Sequence, residues 1–247
     1  MPGLGLGLGL NKRRGNLQFS PLVLSPSLWL DFSDASTLYT DSSRTTLVAS
    51  DGDVIGGVTD KSGSGKHFTQ TDGTAKGLYK TNQQNGKSCI RFDGVNDYLS
   101  NASFALSQPF SVFLVMKIFA VGNFLKSAGP PQLRTGLSGS ITPLTSATIA
   151  AGSAYNVNSY FVSGTCLLVN YVFNGASSKI YKNGSLFSGG TGNAGSGAMS
   201  GALYLASYDG STGTQMDAME LVITSSELST GNLTLLNTYF VNKWGYS

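Results

Sequence analysis

The chain has 247 residues, of which 32 are glycine, 12% are charged and 40% are hydrophobic, and its formal net charge is +3. A chain this long buries a sizeable core as one domain, and high glycine with low charge fits many turns and stacked sheets better than helices. Lys12, Arg13 and Arg14 supply three of the 16 basic residues, so the remaining 13 balance the 13 acidic ones. A neutral body carries no electrostatic footprint for nucleic acid.

Residues 1–14 run Met-Pro-Gly-Leu-Gly-Leu-Gly-Leu-Gly-Leu-Asn-Lys-Arg-Arg. In an extended chain Leu4, Leu6, Leu8 and Leu10 line one face and glycines the other. Such a segment has no second layer to bury its leucines, and glycine makes ordering it entropically costly. It is expected to be disordered alone and to add as a strand against a partner, with Lys12, Arg13 and Arg14 completing the docking segment. The basic residues follow the apolar stretch, the reverse of a signal peptide, and Pro2 stands where myristoylation needs glycine. From Leu17 to Pro26 the chain reads as a tether, because Pro21 and Pro26 limit it to edge or irregular pairing.

Ser111 to Val121 is the most apolar run. Val112, Leu114, Met116, Ile118 and Ala120 share one face, while Phe113, Val115 and Phe119 share the other. That pattern predicts a central strand covered on both sides, and it is too short for a membrane span. No other stretch qualifies as a span either. In 122–165, Pro130-Pro131 forbids ladder pairing, and the Thr/Ser/Ala/Gly-rich stretch after it is expected to hold one or two short strands with long loops. Cys89 and Cys166 each sit in a strand-like run and are expected as buried free thiols, a disulfide between them having no support.

Leu167 to Phe173 is a further strand-length apolar run. After it, Asn183-Gly184 joins Ser178–Lys182 to Ser185–Phe187, the strongest short-range hairpin signal, since a type I′ turn needs positive φ at both positions. The last element is a helix, Ser229 to Trp244. Ser229 caps it, Leu233, Leu236, Phe240 and Trp244 form its buried face, Gly245 stops it, and Lys243 suits the negative end of its dipole.

Several of these stretches carry a resemblance. Leu28-Trp29-Leu30-Asp31-Phe32-Ser33-Asp34-Ala35-Ser36-Thr37-Leu38 resembles the "lWLDasDasTl" opening of laminin-G-like domains in phage structural and bacterial surface proteins. Asp60-Lys61-Ser62-Gly63 is similar to their "W.DkSGnGn", without the tryptophan. Phe92-Asp93-Gly94-Val95-Asn96-Asp97-Tyr98-Leu99 matches "FdGvdDyl". Ile180 to Gly184, Met219 to Ile223, Leu228-Ser229 and Lys243-Trp244-Gly245 match the family's second half. The resemblance implies an all-β, concanavalin-A-like two-sheet jelly-roll sandwich over 28–247, with 1–27 as N-terminal arm and tether and one C-terminal helix.

It also implies a function: a virion structural subunit (decoration, fibre or tail-associated) that docks to other virion proteins through its arm, in many copies or as a homo-oligomer. Host-surface glycan is the expected ligand, with no nucleic acid and no membrane. The alternative is a carbohydrate-binding adhesin module of a bacterial surface protein. Related glycosidases carry Glu-x-Asp-x-x-Glu on one strand, whereas this chain has only Glu220 and Glu227. Asp217 and Glu220, three apart, fall on opposite faces of a strand. No enzymatic activity is therefore expected. No cofactor is expected beyond a structural calcium, for which Asp93, Asn96 and Asp97 are the candidates, with Asp209 and Asp217 in a later loop. The competing reading of Asp93–Asp97 is a plain Asx turn. Tyr155, Tyr160, Tyr208 and Asp209 are the candidate glycan contacts. His67, the only histidine, lies in a Gly/Ser/Lys turn and is expected to be solvated.

Overall fold

The computed structural model describes residues 19–135, 145–207, 209 and 213–246. The docking residues Leu4, Leu6, Leu8, Leu10, Lys12, Arg13 and Arg14, and the candidate Tyr208, lie outside that set. In chain order the strands are β1 (Leu28–Asp31), β2 (Leu38–Tyr39), β3 (Gly57–Val58), β4 (Phe68–Thr69), β5 (Leu78–Gln84) and β6 (Lys87–Phe92). Next come β7 (Leu99–Asn101), β8 (Phe110–Ile118), β9 (Asn123–Ser127), β10 (Gln132–Thr135), β11 (Ala147–Ala150) and β12 (Ala154–Val157). The last are β13 (Leu167–Phe173), β14 (Ser178–Lys182), β15 (Ser185–Gly192), β16 (Leu203–Leu205) and β17 (Met216–Thr224), followed by helix α1 (Thr230–Trp244).

The strands form two antiparallel sheets. The helix-side sheet runs β15-β14-β13-β8-β17-β6-β5, with β1 also paired to β17, beyond the end of β6. The open sheet runs β12-β11-β10-β9-β16-β7-β4-β3-β2. A large apolar cluster fills the space between them, including Leu30, Phe92, Leu114, Phe124, Tyr171, Leu203 and Leu221. A second cluster lies on the far side of the helix-side sheet, where Trp29, Phe113, Val115, Leu168 and Val222 meet Leu236, Phe240 and Trp244 of α1. The molecule is thus a jelly-roll-type sandwich with a helix laid on one sheet.

The two clusters explain β8. Its Val112, Leu114, Met116 and Ile118 belong to the inter-sheet core, and its Phe113 and Val115 to the helix-side cluster, as apolarity on both faces requires. It sits between β13 and β17, in the middle of its sheet. The β14–β15 hairpin turns at Asn183 and Gly184, with φ of 50° and 81°, as the Asn-Gly turn demands. In α1, Ser229 accepts from the Asn232 amide, Leu236, Phe240 and Trp244 are buried, and Gly245 closes the helix at φ 64°. Cys89 and Cys166 are free and buried. Burial raises the Cys166 thiol to about 11.

Two stretches differ from the sequence expectation. The described residues of 122–165 hold four strands, β9 to β12, and Pro130-Pro131 serves as the connection between β9 and β10. The supposed tether is packed from Phe19 onward: Pro21–Leu24 is a 3₁₀ turn capped by Ser20, and Phe19 and Leu24 lie against the helix-side cluster.

Candidate functional site

The family-like motifs converge on one carboxylate. β1 pairs β17 in the register Trp29↔Val222 and Asp31↔Glu220, which sets two acids side by side under α1. Glu220 is 0% exposed. Its Oε1 accepts from Trp29 Nε1 and from the Tyr239 hydroxyl, each at 2.8 Å. Its Oε2 accepts from Trp244 Nε1 at 2.8 Å and faces Lys243 Nζ at 2.8 Å. Lys243 also reaches Asp31 Oδ1 at 2.7 Å, and Lys61 pairs with Asp31 and Asp34 at 3.1 and 2.7 Å. The Asp60 carboxylate holds the Trp29 amide and closes the Asp60–Lys66 turn through the amides of Ser62 and Lys66. Lys243 therefore serves the buried acids rather than only the helix dipole.

The electrostatics follow from burial. Burial, with Asp31 adding to it, raises the Glu220 carboxyl above its ordinary value. Burial also pushes Asp31 upward, but Lys243 and Lys61 outweigh it and hold that group low. Burial and then the charges of Glu220 and Asp31 hold the Tyr239 phenol far above its usual range, so it donates. This is a lock between the first strand and the last helix, with each acid committed to inward donors.

Glu220 reaches this side of the sheet through a bulge. The β17–β8 register places Ala218 opposite Met116 and Glu220 opposite Val115, so Met219 is the extra residue. Asp217 and Glu220 thereby share the helix-side face, and the expectation of opposite faces is corrected. Asp217 is not in a loop either: it lies within β17, buried, bound by Arg91 through Nε at 2.7 Å and Nη2 at 2.8 Å.

Two further expectations change. Tyr160 is 0% exposed, packed among Phe161, Tyr171 and Phe187 with its hydroxyl donated to the Tyr181 carbonyl, and so cannot touch a ligand. His67 is tied down rather than solvated, its Nδ1 accepting from the Asp60 amide at 3.1 Å. Tyr155 is half-buried in β12, its ring against Gly192. Asp209 is exposed beyond the end of β16, which stands four strands along the sheet from β12, so the two are not brought together. In the Asp93–Asp97 loop, Asp97 accepts from the Asp93 amide at 3.0 Å and Asp93 from the Val95 amide at 2.7 Å. Burial raises the Asp97 carboxyl, and among the described residues no group of three or more His, Cys, Asp or Glu side chains is placed to hold a metal.

The open sheet offers a different surface. Its inward residues, among them Phe68, Leu99, Leu125, Leu133, Leu203 and Leu205, fill the core. In β4, β7, β10 and β16 the alternates Thr69, Ser100, Gln132 and Tyr204 belong to neither apolar cluster, whereas Phe124 of β9 turns into the core where the β9–β10 register shifts. Thr69, Ser100, Tyr204, Lys126 and Gln132 stand in cross-strand register, forming one row over β4, β7, β16, β9 and β10. Tyr98 packs edge-on to Tyr204 at 5.9 Å. An aromatic pair inside a row of hydroxyl, amide and ammonium groups can stack on one part of a ligand and hydrogen-bond another. Sequence reading passed over Tyr98 and Tyr204, and strand alternation around Leu99, Leu203 and Leu205 was the available signal.

No family model and no curated protein matches the chain. Solved structures do resemble it. The receptor-binding domain of botulinum neurotoxin D superposes with a TM-score of 0.58 at 13% identity, covering 88% of this chain and 53% of that one. A Trypanosoma rangeli sialidase gives 0.55 at 10% identity, covering 87% of this chain and 32% of the sialidase. The same enzyme in complex with sialic acid gives 0.52 at 10% identity, covering 79% and 32%. The chain thus spans about a third of the sialidase and half of the toxin structure. The likeness establishes a lectin-like, jelly-roll β-sandwich. It also corrects the exclusion of enzymes: that exclusion rested on a missing carboxylate pair, a criterion that does not cover sialidases, and sialidases are among the folds this chain resembles.

Proposed function

We propose that the chain is a lectin-like module that binds glycan on the outer face of its open sheet. The observation that carries this reading is the row Thr69–Ser100–Tyr204–Lys126–Gln132 with Tyr98 against Tyr204, on the face that no helix of the described residues covers. A pyranose has an apolar C–H face for the phenol ring and hydroxyls for the flanking polar groups. The toxin receptor-binding domain and the sialic-acid-bound sialidase, each of which contains this fold in part of its length, support a receptor or sugar ligand.

The wider role, a subunit docked into a virion through residues 1–14, rests on the motif resemblance to phage structural proteins and on the Gly-Leu pattern. The layer order is consistent with it. Phe19, where the described chain starts, lies on the helix side, and the open sheet faces away from it. Glycan-array binding followed by calorimetric titration with the best ligand tests the sugar reading. Tyr204→Ala should lose at least about tenfold in affinity, the scale of 1.4 kcal/mol, with an unchanged unfolding curve. A full array without binding, or binding indifferent to Tyr204→Ala, would refute it.

A further inference from the structure

Beside the buried lock lies a cavity of about 420 Å³ lined by Phe19, Lys87, Leu235, Thr238, Tyr239, Asn242 and Lys243. Its floor is one stripe of α1, since Leu235, Thr238, Tyr239, Asn242 and Lys243 follow helical spacing. Leu235 is 49% exposed there. Lys87, on the opposite wall, has no ion-pair partner among the described residues. Phe19 forms one end of the cavity with its ring 6.0 Å from that of Tyr239.

We propose that this groove seats the residues just upstream of Phe19, Gly15-Asn16-Leu17-Gln18, of the same chain. Leu235 to Lys243 spans about 12 Å of helix, at 1.5 Å per residue, which matches roughly four extended residues at 3.3 Å each. In an extended segment Leu17 shares the face of Phe19 and lies about 6.6 Å from it. Tyr239 and Leu235 are one helical turn apart, about 6 Å. With Phe19 on Tyr239, Leu17 therefore falls on the exposed Leu235, while toward Lys243 the groove offers the polar Asn242 and an ammonium already held by Asp31 and Glu220. Asn16 and Gln18 turn their amides to the other side, where an amide oxygen suits the Lys87 ammonium. Direct attachment through Phe19 favours this segment over any free competitor, because tethering keeps its local concentration in the millimolar range. The groove then fixes the direction in which residues 1–14 leave the body, on the side opposite the open sheet. This holds whether or not that sheet binds glycan.

The test is a cysteine pair in the full chain, Leu17→Cys with Leu235→Cys, against a control pairing Leu17→Cys with Asp72→Cys, an exposed site in the loop before β5. Mild oxidation should close an intramolecular disulfide in the first protein about tenfold faster than in the control, given that bridging needs Cα atoms within about 7 Å. Cys89 and Cys166 are buried and do not compete. Equal rates in the two proteins would overturn the proposal. Disulfide-linked dimers of the first protein would overturn it too, by placing a second copy in the groove.

Discussion

Replacing Glu220 by glutamine tests whether the buried carboxylate joins the first strand to the last helix. The glutamine side chain is isosteric but offers one acceptor oxygen. Whichever way the amide is turned, its NH₂ faces a donor: Trp244 Nε1 and Lys243 in one orientation, Trp29 Nε1 and the Tyr239 hydroxyl in the other. Lys243 also loses one of the two carboxylates it bridges. Breaking a buried ion pair from one side costs about 3–5 kcal/mol. For a domain of this size that lowers the melting temperature by about 6–20 °C. The chain's two tryptophans, Trp29 and Trp244, both donate to this carboxylate, so their fluorescence reads the site itself during urea unfolding. Calorimetry supplies the independent midpoint. A loss below about 1 kcal/mol, the worth of an ordinary hydrogen bond, with unshifted tryptophan emission would refute the lock.

Two further outcomes follow from the loops. Burial, and after it the Arg44 charge, lowers the His67 imidazole below its usual value, so between that value and the ordinary 6.5 the unfolded chain binds the extra proton. Stability should therefore fall as pH drops below about 6.5, and His67→Gln should flatten that slope in urea titrations at stepped pH; an unchanged slope would dismiss the contribution. Asp97→Ala leaves the Asp93 amide without its acceptor and should cost about 1–3 kcal/mol, whereas EDTA should leave the wild-type melting curve in place. A chelator shift that vanishes in Asp97→Ala would instead put an ion in that loop.

Local patterns carried most of the fold. β8 was legible because both of its faces are apolar, the β14–β15 hairpin because Asn183-Gly184 allows one turn type, and α1 because its cap, stripe and stop agree. The candidate site was legible only as scattered words. Trp29, Glu220 and Trp244 stand in matching motifs, yet that they share one carboxylate depends on a pairing across 191 residues. The bulge at Met219 defeated simple alternation, since one inserted residue reverses every face downstream of it. Tyr160 was misread because it follows Asn158 and Ser159, while Tyr171 and Phe187, which help bury it, come from β13 and β15. The strands of 122–165 were undercounted because Ser, Ala and Gly carry little β signal, and pairing with neighbouring strands supplies what propensity does not.

The pairing of β1 with β17 has a consequence for synthesis. A chain emerging from the ribosome at about 5–20 residues per second presents Trp29 long before Glu220 exists, so nothing joins β8 to β6 and β1 until β17 arrives. Until then β8 exposes an apolar face on each side and β13 stands without the helix that covers it. Nascent chains halted before Met216 should accordingly be sensitive to protease and retained by chaperones. Those extended beyond Gly245, with a linker long enough to clear the exit tunnel, should become resistant in a single step.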